Sequence, residues 1–352
     1  GLRKKLAYKA FERIMQYDGK ISSWMSKHLL NKKEESLFIS ASNPQNLRYG
    51  ENPHQTASFY STIKGQNTFF QKLNGKELSY NNLNDLGLGL KLVAEFNSPT
   101  CVIIKHAIPS SVSESKNINS AWEQAFKADS LSAFGGVVIF NKVVDEKLAK
   151  KLSRIFLEVI VAPSYSKGAF NILRKKSNLR LVKINNIKNL IKNFKTEIAL
   201  LPGGILEQDA DKFKITKNKV KVVTQKKPTK KEIDDLVFAF KVVKYVRSNA
   251  IVIAKNKTTI GIGSGNTSRV DSVQFAIIKA KRSFGGKKDI IKGAVMASDA
   301  FFPFSDSIKL AAKVNIKAII QPGGSISDTE VIKETEKENI SMVFTRRRCF
   351  SH

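Results

Sequence analysis

Short runs of β-branched and aliphatic residues recur along this chain, separated by stretches of helical periodicity. That alternation restricts the fold more than any other feature, because it is the pattern of an α/β layered architecture. Expected strands are 100–105, 137–141, 159–162, 198–202, 250–255, 295–297 and 318–321. Expected helices include 83–96, 121–128, 145–152, 230–246, 268–282 and 306–314. Two parts share a rhythm: Val161-Ala162-Pro163-Ser164 ends one strand before a helix, and Ile320-Gln321-Pro322-Gly323 does the same later. The repeat points to a duplicated unit with a boundary near Lys212–Lys231, a lysine-rich stretch read as a solvated hairpin.

Residues 2 to about 29 place Leu6, Phe11, Ile14, Met15, Ile21, Trp24 and Met25 near helical spacing. The chain starts without Met inside this pattern, so the expectation is a helical connector from a preceding domain. A polar, breaker-containing linker follows over 31–46.

At 352 residues and 42% hydrophobic content the chain suits a globular protein of two or three domains. No run of 18 apolar residues is present, which argues against a transmembrane helix, and no signal peptide is visible. The two cysteines, Cys101 and Cys349, are far apart and fit a reducing cytosol without a disulfide framework. Neither a CxxC nor an HExxH spacing occurs, so no zinc is expected. The formal charge of +30 invites a nucleic-acid reading. It rests on 48 Lys against 12 Arg scattered along the chain, without an RNA-binding aromatic motif. Nucleic acid is therefore disfavoured, and a field that attracts small anionic substrates accounts for the charge more simply.

Several polar constellations stand out. Leu47-Arg48-Tyr49-Gly50-Glu51-Asn52-Pro53-His54-Gln55 gathers a cation, a phenol, amides and an imidazole around Gly and Pro, as a binding-site loop does. Lys105-His106 ends an apolar strand before Pro109, expected to stop it, and ligands of open α/β sheets bind at strand ends. A lone His is more often a structural hydrogen-bonder than a catalyst. Here His106 is one of only four imidazoles, and a neighbouring cation favours its neutral, basic form. Ala297-Ser298-Asp299-Ala300-Phe301-Phe302-Pro303-Phe304 is a buried turn or a slot for a planar ring system. The glycine-rich turn Gly261–Arg269 could meet an anion at a helix N-terminus but matches neither Rossmann nor Walker spacing. Ser248-Asn249 offers an amide ahead of a strand.

With the loop at 47–55, the blocks LSYNNLND, IIKHAIP, LSAFGGVVIFN, EVIVAPSYS, KVVKYVRSNAIV, GIGSGNTSRVDSV, ASDAFFPFSD, IIQPGGS and MVFTRRRCFSH run in order along the chain. Their order and spacing over residues 40–352 resemble the transformylase domain of the bifunctional purine-biosynthesis family, AICAR transformylase/IMP cyclohydrolase. The resemblance implies an α/β fold of two cytidine-deaminase-like α/β/α subdomains, at 41–205 and 206–352, after a helical connector at 1–40. It implies transfer of the formyl group of 10-formyltetrahydrofolate to the 5-amino group of AICAR in purine biosynthesis. Cyclohydrolase activity is expected only in a longer parent chain.

The same resemblance assigns catalysis to Lys105, His106 and Asn249. It assigns AICAR binding to Arg48, Tyr49, Asn82, Gly135, Glu158, Phe301, Arg348 and Phe350. Folate binding falls to Phe134, Arg269, Pro303, Phe304 and Asp306. The co-substrate is the formyl-folate; a monovalent cation is left open, and no other metal is expected. The implied assembly is a cytosolic homodimer with shared active sites and no membrane partner. Ser305, Asn266, Arg346 and Cys349 depart from the family pattern without removing a residue assigned to chemistry. A nucleotide-binding paralogue without turnover and a polyanion-binding module are the rival readings.

Overall fold

The computed structural model describes residues 1–32, 35–63, 68–287 and 289–352; of the linker expected at 31–46, residues 33–34 lie outside the described residues. Two compact units emerge: residues 1–47 with 57–69, and residues 48–56 with 70–352. In the first unit, α1 (Leu2–His28) buries none of its residues, and β1 (Ser42–Asn46) pairs antiparallel with β2 (Ser58–Ser61). No helix among the described residues is long and apolar enough to cross a membrane.

The second unit holds β3 (Gln71–Asn74), α2 (Tyr80–Val93), β4 (Thr100–Lys105), β5 (Ile108–Glu114), α3 (Ile118–Ala128), α4 (Ser130–Ala133) and β6 (Val137–Phe140). Next come α5 (Glu146–Leu152), β7 (Val159–Ala162), α6 (Lys167–Leu173), β8 (Arg180–Lys183), α7 (Ile187–Asn193), β9 (Thr196–Leu201) and β10 (Gly204–Asp209). The remainder comprises β11 (Lys221–Val222), α8 (Lys230–Val243), β12 (Ile251–Lys255), β13 (Thr258–Gly263), α9 (Arg269–Gly286) and β14 (Val295–Ser298). It closes with α10 (Asp306–Lys313), β15 (Ala318–Gln321), α11 (Asp328–Lys337) and β16 (Ser341–Phe344).

Twelve strands form one mixed sheet in the order β11-β16-β15-β14-β12-β13-β5-β4-β6-β7-β8-β3. Strands such as β4 and β7 are apolar on successive residues because both of their faces are covered. Cys101, Ile103, Val138, Phe140 and Ile160 meet Trp122 of α3, Leu148 of α5 and Leu173 of α6 on one face. Ile104 and Ile139 point the other way, against Gly89 of α2. Fully buried side chains such as Leu86, Leu90 and Phe140 each contribute about 1.5–3 kcal/mol by leaving water. Helix starts follow local chemistry: Ser79 and Asn82 form a capping box at α2, Thr229 and Glu232 another at α8, and Ser268 caps α9.

The elements repeat. α2-β4-β5-α3-β6-α5-β7-α6-β8 is followed by α8-β12-β13-α9-β14-α10-β15-α11-β16, with neighbours in mirror order about the β5–β13 contact. In both copies the first two strands form a two-residue hairpin, at His106-Ala107 and at Asn256-Lys257, all four with φ between 52° and 55°. The two tips lie 150 positions apart in sequence, and so do Asp85 of α2 and Asp235 of α8, which bind their backbones.

Three expectations are corrected. Pro109 does not stop the strand after His106; it lies inside β5, opposite Ile104 where the register shifts, a place that tolerates the missing N–H. The stretch 212–231 is not a hairpin but a short 3-10 turn at Lys217–Lys219 and strand β11 on β16, whereas the solvated hairpin is β9–β10. Gly261 and Gly263 belong to β13 rather than to a turn. A Cβ there would lie 2.0 Å from the Ala276 carbonyl oxygen and 1.9 Å from that of Ser272, so glycine is what lets α9 press onto the strand. Gly263→Ala should therefore cost about 3 kcal/mol or more in urea unfolding, a steric penalty of overpacking. A loss below about 0.5 kcal/mol, the level of a neutral surface change, would mean that α9 is free to move away.

Candidate functional site

The turn between β4 and β5 carries the Lys-His pair. His106 and Ala107 both have positive φ, uncommon for residues with a Cβ. Asp85 offsets that strain: its Oδ1 accepts the Ala107 N–H at 2.6 Å from the inner face of α2. Burial raises the Asp85 carboxyl above the usual carboxylate range, while the Ala107 and His106 amides and the His106 ring pull it back down. Lys105 Nζ donates to the Phe134 carbonyl at 2.8 Å, and the His106 ring is exposed. Beneath the tip lies a cavity of ≈ 260 Å³, lined by Lys105, His106, Asp129, Ser132, Phe275 and Lys279 among others. Lys279 of α9 reaches Asp129 at 3.2 Å and Ser132 at 3.4 Å, bridging the two copies of the repeat at the cavity wall.

Phe134, whose carbonyl holds Lys105, and the other residues the resemblance assigns each have their own setting. Phe134 is 59% exposed with its ring centroid 5.2 Å from that of Phe156. The Gly135 N–H binds the Phe156 carbonyl at 2.9 Å, and Glu158 pairs with Arg180. Asn82 is buried and works in the α2 capping box, accepting from the Ser79 N–H. Next to it, Asn81 donates to the Glu51 carbonyl at 3.2 Å, tying the 48–56 loop to the start of α2. Within that loop the Arg48 guanidinium lies 5.4 Å from the Tyr49 ring centroid, and both Arg48 and His54 are exposed.

Asn249 is held in a second group. Its Oδ1 accepts from Arg269 Nη2 at 2.8 Å, and its Nδ2 donates to the carbonyls of Asn266 and Thr267 at 3.0 and 3.1 Å. Only this orientation satisfies a donor-only guanidinium and two acceptor carbonyls, so the network fixes the amide. Arg269 is only 8% exposed and also binds Ser298 Oγ and the fully buried Asp299. Its guanidinium is thus committed to protein partners and stands behind Asn249 rather than lining an open slot. The C-terminal tail is laced into the same group. Cys349 N–H binds the Asp299 carbonyl, Ser248 N–H binds the Ser351 carbonyl, both at 2.9 Å, and Ser248 Oγ contacts the Asp299 carboxylate. Burial pushes the Cys349 thiol well up, so it packs as a neutral group. Arg348 and Phe350 are exposed, with the guanidinium 4.4 Å from the ring centroid.

Phe301 and Phe304 are exposed at 37% and 65% while Phe302 is buried, so the aromatic turn is half core and half surface. Exposed Asp306 starts α10. The structure brings Lys105 and His106 together with Phe134, and Asn249 together with Arg269 and the tail. No hydrogen bond among the described residues joins the two groups directly. The segment after β13 links them, since Ser264 lines the cavity while Asn266 and Thr267 hold Asn249. The sequence assigns no role to Asp85, Phe156, Asp299 or the Asp129–Lys279 pair. Asp85 left a signal, a carboxylate beside Leu86 on the apolar face of a helix, where carboxylates are rare without partners. No group of three or more His, Cys, Asp or Glu among the described residues is placed to hold a metal ion.

Comparison with known proteins is specific. The model of the AICARFT/IMPCHase bienzyme family matches residues 1–279. The chain is 44% identical over 353 residues to the bifunctional purine biosynthesis protein PurH of Acetivibrio thermocellus, covering 99% of this chain and 67% of that protein. PurH of Fusobacterium nucleatum is 46% identical over 356 residues, again covering 99% and 67%. PurH of Persephonella marina is 48% identical over 357 residues, covering 99% and 68%.

The Arg269 group has an energetic consequence. Truncating Arg269 leaves the Asp299 carboxylate buried without its cation, a defect worth about 3–5 kcal/mol. Arg269→Ala should show that loss in urea unfolding, and Arg269→Lys a smaller one, because an ammonium cannot span Asn249 and Asp299 as a fork does. A loss below about 1 kcal/mol would reduce the pair to the worth of a surface bridge.

Proposed function

The chain belongs to the AICARFT/IMPCHase bienzyme family, and on that premise we propose how its residues perform the formyl transfer. It is an AICAR formyltransferase of purine biosynthesis with a folate co-substrate. The folate form in this reading is 10-formyltetrahydrofolate, and the setting is the cytosol. The observation that carries the residue assignment is the Lys105-His106 tip, fixed in a strained turn at the mouth of a cavity.

The AICAR amine is a poor nucleophile, since its lone pair is delocalised into the imidazole ring and held near the carboxamide. Orientation contributes up to ~7–11 kcal/mol in ideal cases, and a positioned base roughly 10²–10⁴-fold. His106 takes the amine proton as nitrogen attacks the formyl carbon. The bond from formyl carbon to folate N10 then breaks, and N10 leaves with a proton. Lys105 and Asn249 face the oxygen that gains charge, at roughly 3 kcal/mol per donor. Both Nδ2 bonds of Asn249 already go to carbonyls, so its donation requires exchange of one of them on substrate binding.

Arg48, Tyr49 and Arg348 hold the 5′-phosphate, where a planar fork suits the anion better than the many lysines do. Asn82, Gly135, Glu158, Phe301 and Phe350 border the nucleotide. Phe134, Pro303, Phe304 and Asp306 border the folate, with Arg269 acting on it through Asn249. The repeat of element order supports division into cytidine-deaminase-like subdomains at 41–205 and 206–352. Separation of the Lys105-His106 and Asn249 groups supports a homodimer with shared sites, each completed by its partner.

Two experiments test this reading. Release of tetrahydrofolate, followed by absorbance with AICAR and 10-formyltetrahydrofolate, should fall by ~10²–10⁴-fold in His106→Ala, with AICAR binding kept within severalfold. Near-normal turnover would remove His106 from the mechanism. Mixing inactive His106→Ala and Asn249→Ala chains should restore part of the activity through hybrid sites. An active monomer in sedimentation, or no restoration despite proven subunit exchange, would count against shared sites.

A further inference from the structure

Each copy of the repeat spends a buried carboxylate on the same task. Asp85 takes the Ala107 N–H at 2.6 Å, and Asp235 takes the Asn256 and Lys257 N–H groups at 2.9 and 2.7 Å. Both acids sit at the sixth position of a 14-residue helix, and both hold a two-residue turn whose φ values are positive. The clamp is thus common to both hairpins. What differs is the cargo: one tip carries His106 at the mouth of the cavity, the other carries Asn256.

We propose that Asp85 is a positioning residue for the formyl transfer, holding the His106 backbone in the left-handed turn that presents the imidazole to the cavity. The inference rests on the role given to His106 above. Asp85 touches no substrate. Its carboxylate holds the turn at the Ala107 N–H, and the exposed ring has few other restraints. Lys105 is restrained independently at the Phe134 carbonyl, so loss of Asp85 acts on the imidazole more than on the ammonium. Misplacing a reacting group by about 1 Å costs roughly 10²-fold in rate.

The duplicated turn supplies an internal control. Asp85→Ala and Asp235→Ala each remove one carboxylate from one matching hairpin, so their melting temperatures should fall by similar amounts. Turnover should separate them: kcat about 10²-fold lower in Asp85→Ala with the KM for AICAR within severalfold, and kcat unchanged in Asp235→Ala. In a His106→Ala background, Asp85→Ala should lower the residual rate no further, because residues acting as one unit are not additive. Should Asp85→Ala fail to fold, Asp85→Asn, which keeps an acceptor but loses the charge, is read in its place, with a smaller loss in kcat. Equal kcat in the Asp85 and Asp235 variants, or an additive loss in the His106→Ala background, overturns the proposal. A fully active His106→Ala chain would instead overturn the role of His106 itself.

Discussion

The sheet passes from one copy of the repeat to the other through a single seam, and the cavity of the candidate site borders that seam. β5 and β13 share one registered pair, Ser113 with Thr258, and side chains supply much of the remaining joint. Ser113 Oγ and Thr258 Oγ1 lie 2.8 Å apart, and Thr259 Oγ1 accepts the Val112 N–H at 2.9 Å. All four residues are buried, so these hydrogen bonds are made away from competing water. A polar joint in the middle of an apolar sheet fixes the register, because slipping by one residue would strand every hydroxyl without a partner. The cavity opens beside this joint, with β5 on one wall and β13 on the other.

Duplication explains how a strained element can be placed so reproducibly. The second tip repeats the turn, the clamp and even the preceding lysine, as Lys255, whose Nζ binds the Ile290 and Lys292 carbonyls as Lys105 binds that of Phe134. The scaffold thus holds the geometry whether or not chemistry is attached. Asn249 has no matching amide in the first copy, where Pro99 stands at the equivalent place. Each copy supplies something the other lacks.

Much of this was legible in the sequence where one physical signal dominated. Thr100–Lys105, Val159–Ala162 and Ala318–Gln321 were read residue for residue, because continuous apolar runs of that length have few alternatives. β5 is not evident in the sequence because Pro109 and three serines mask its alternation, and one of them, Ser113, serves the polar joint. β13 is not evident in the sequence because its glycines serve a helix that meets them at Ser272 and Ala276, which no local pattern shows. Lys105, His106 and Asn249 stood out as motif residues. The acids behind them did not, since Asp85 at the turn and Asp299 beneath Arg269 act across sequence separations that only the fold closes. Arg269 was visible as a cation at a helix start, but its burial against Asp299 was not.

The lacing of the tail into the Asn249 group sets an order of events during synthesis. The Lys105-His106 turn is built from α2, β4 and β5, which lie close together in the chain, and Lys105 is held by the Phe134 carbonyl a little further on. The amide group needs Asp299 and then Ser351, which are translated well after that turn. The two candidate groups are thus completed by segments made at different times, the turn from neighbouring elements and the amide group from the distant tail.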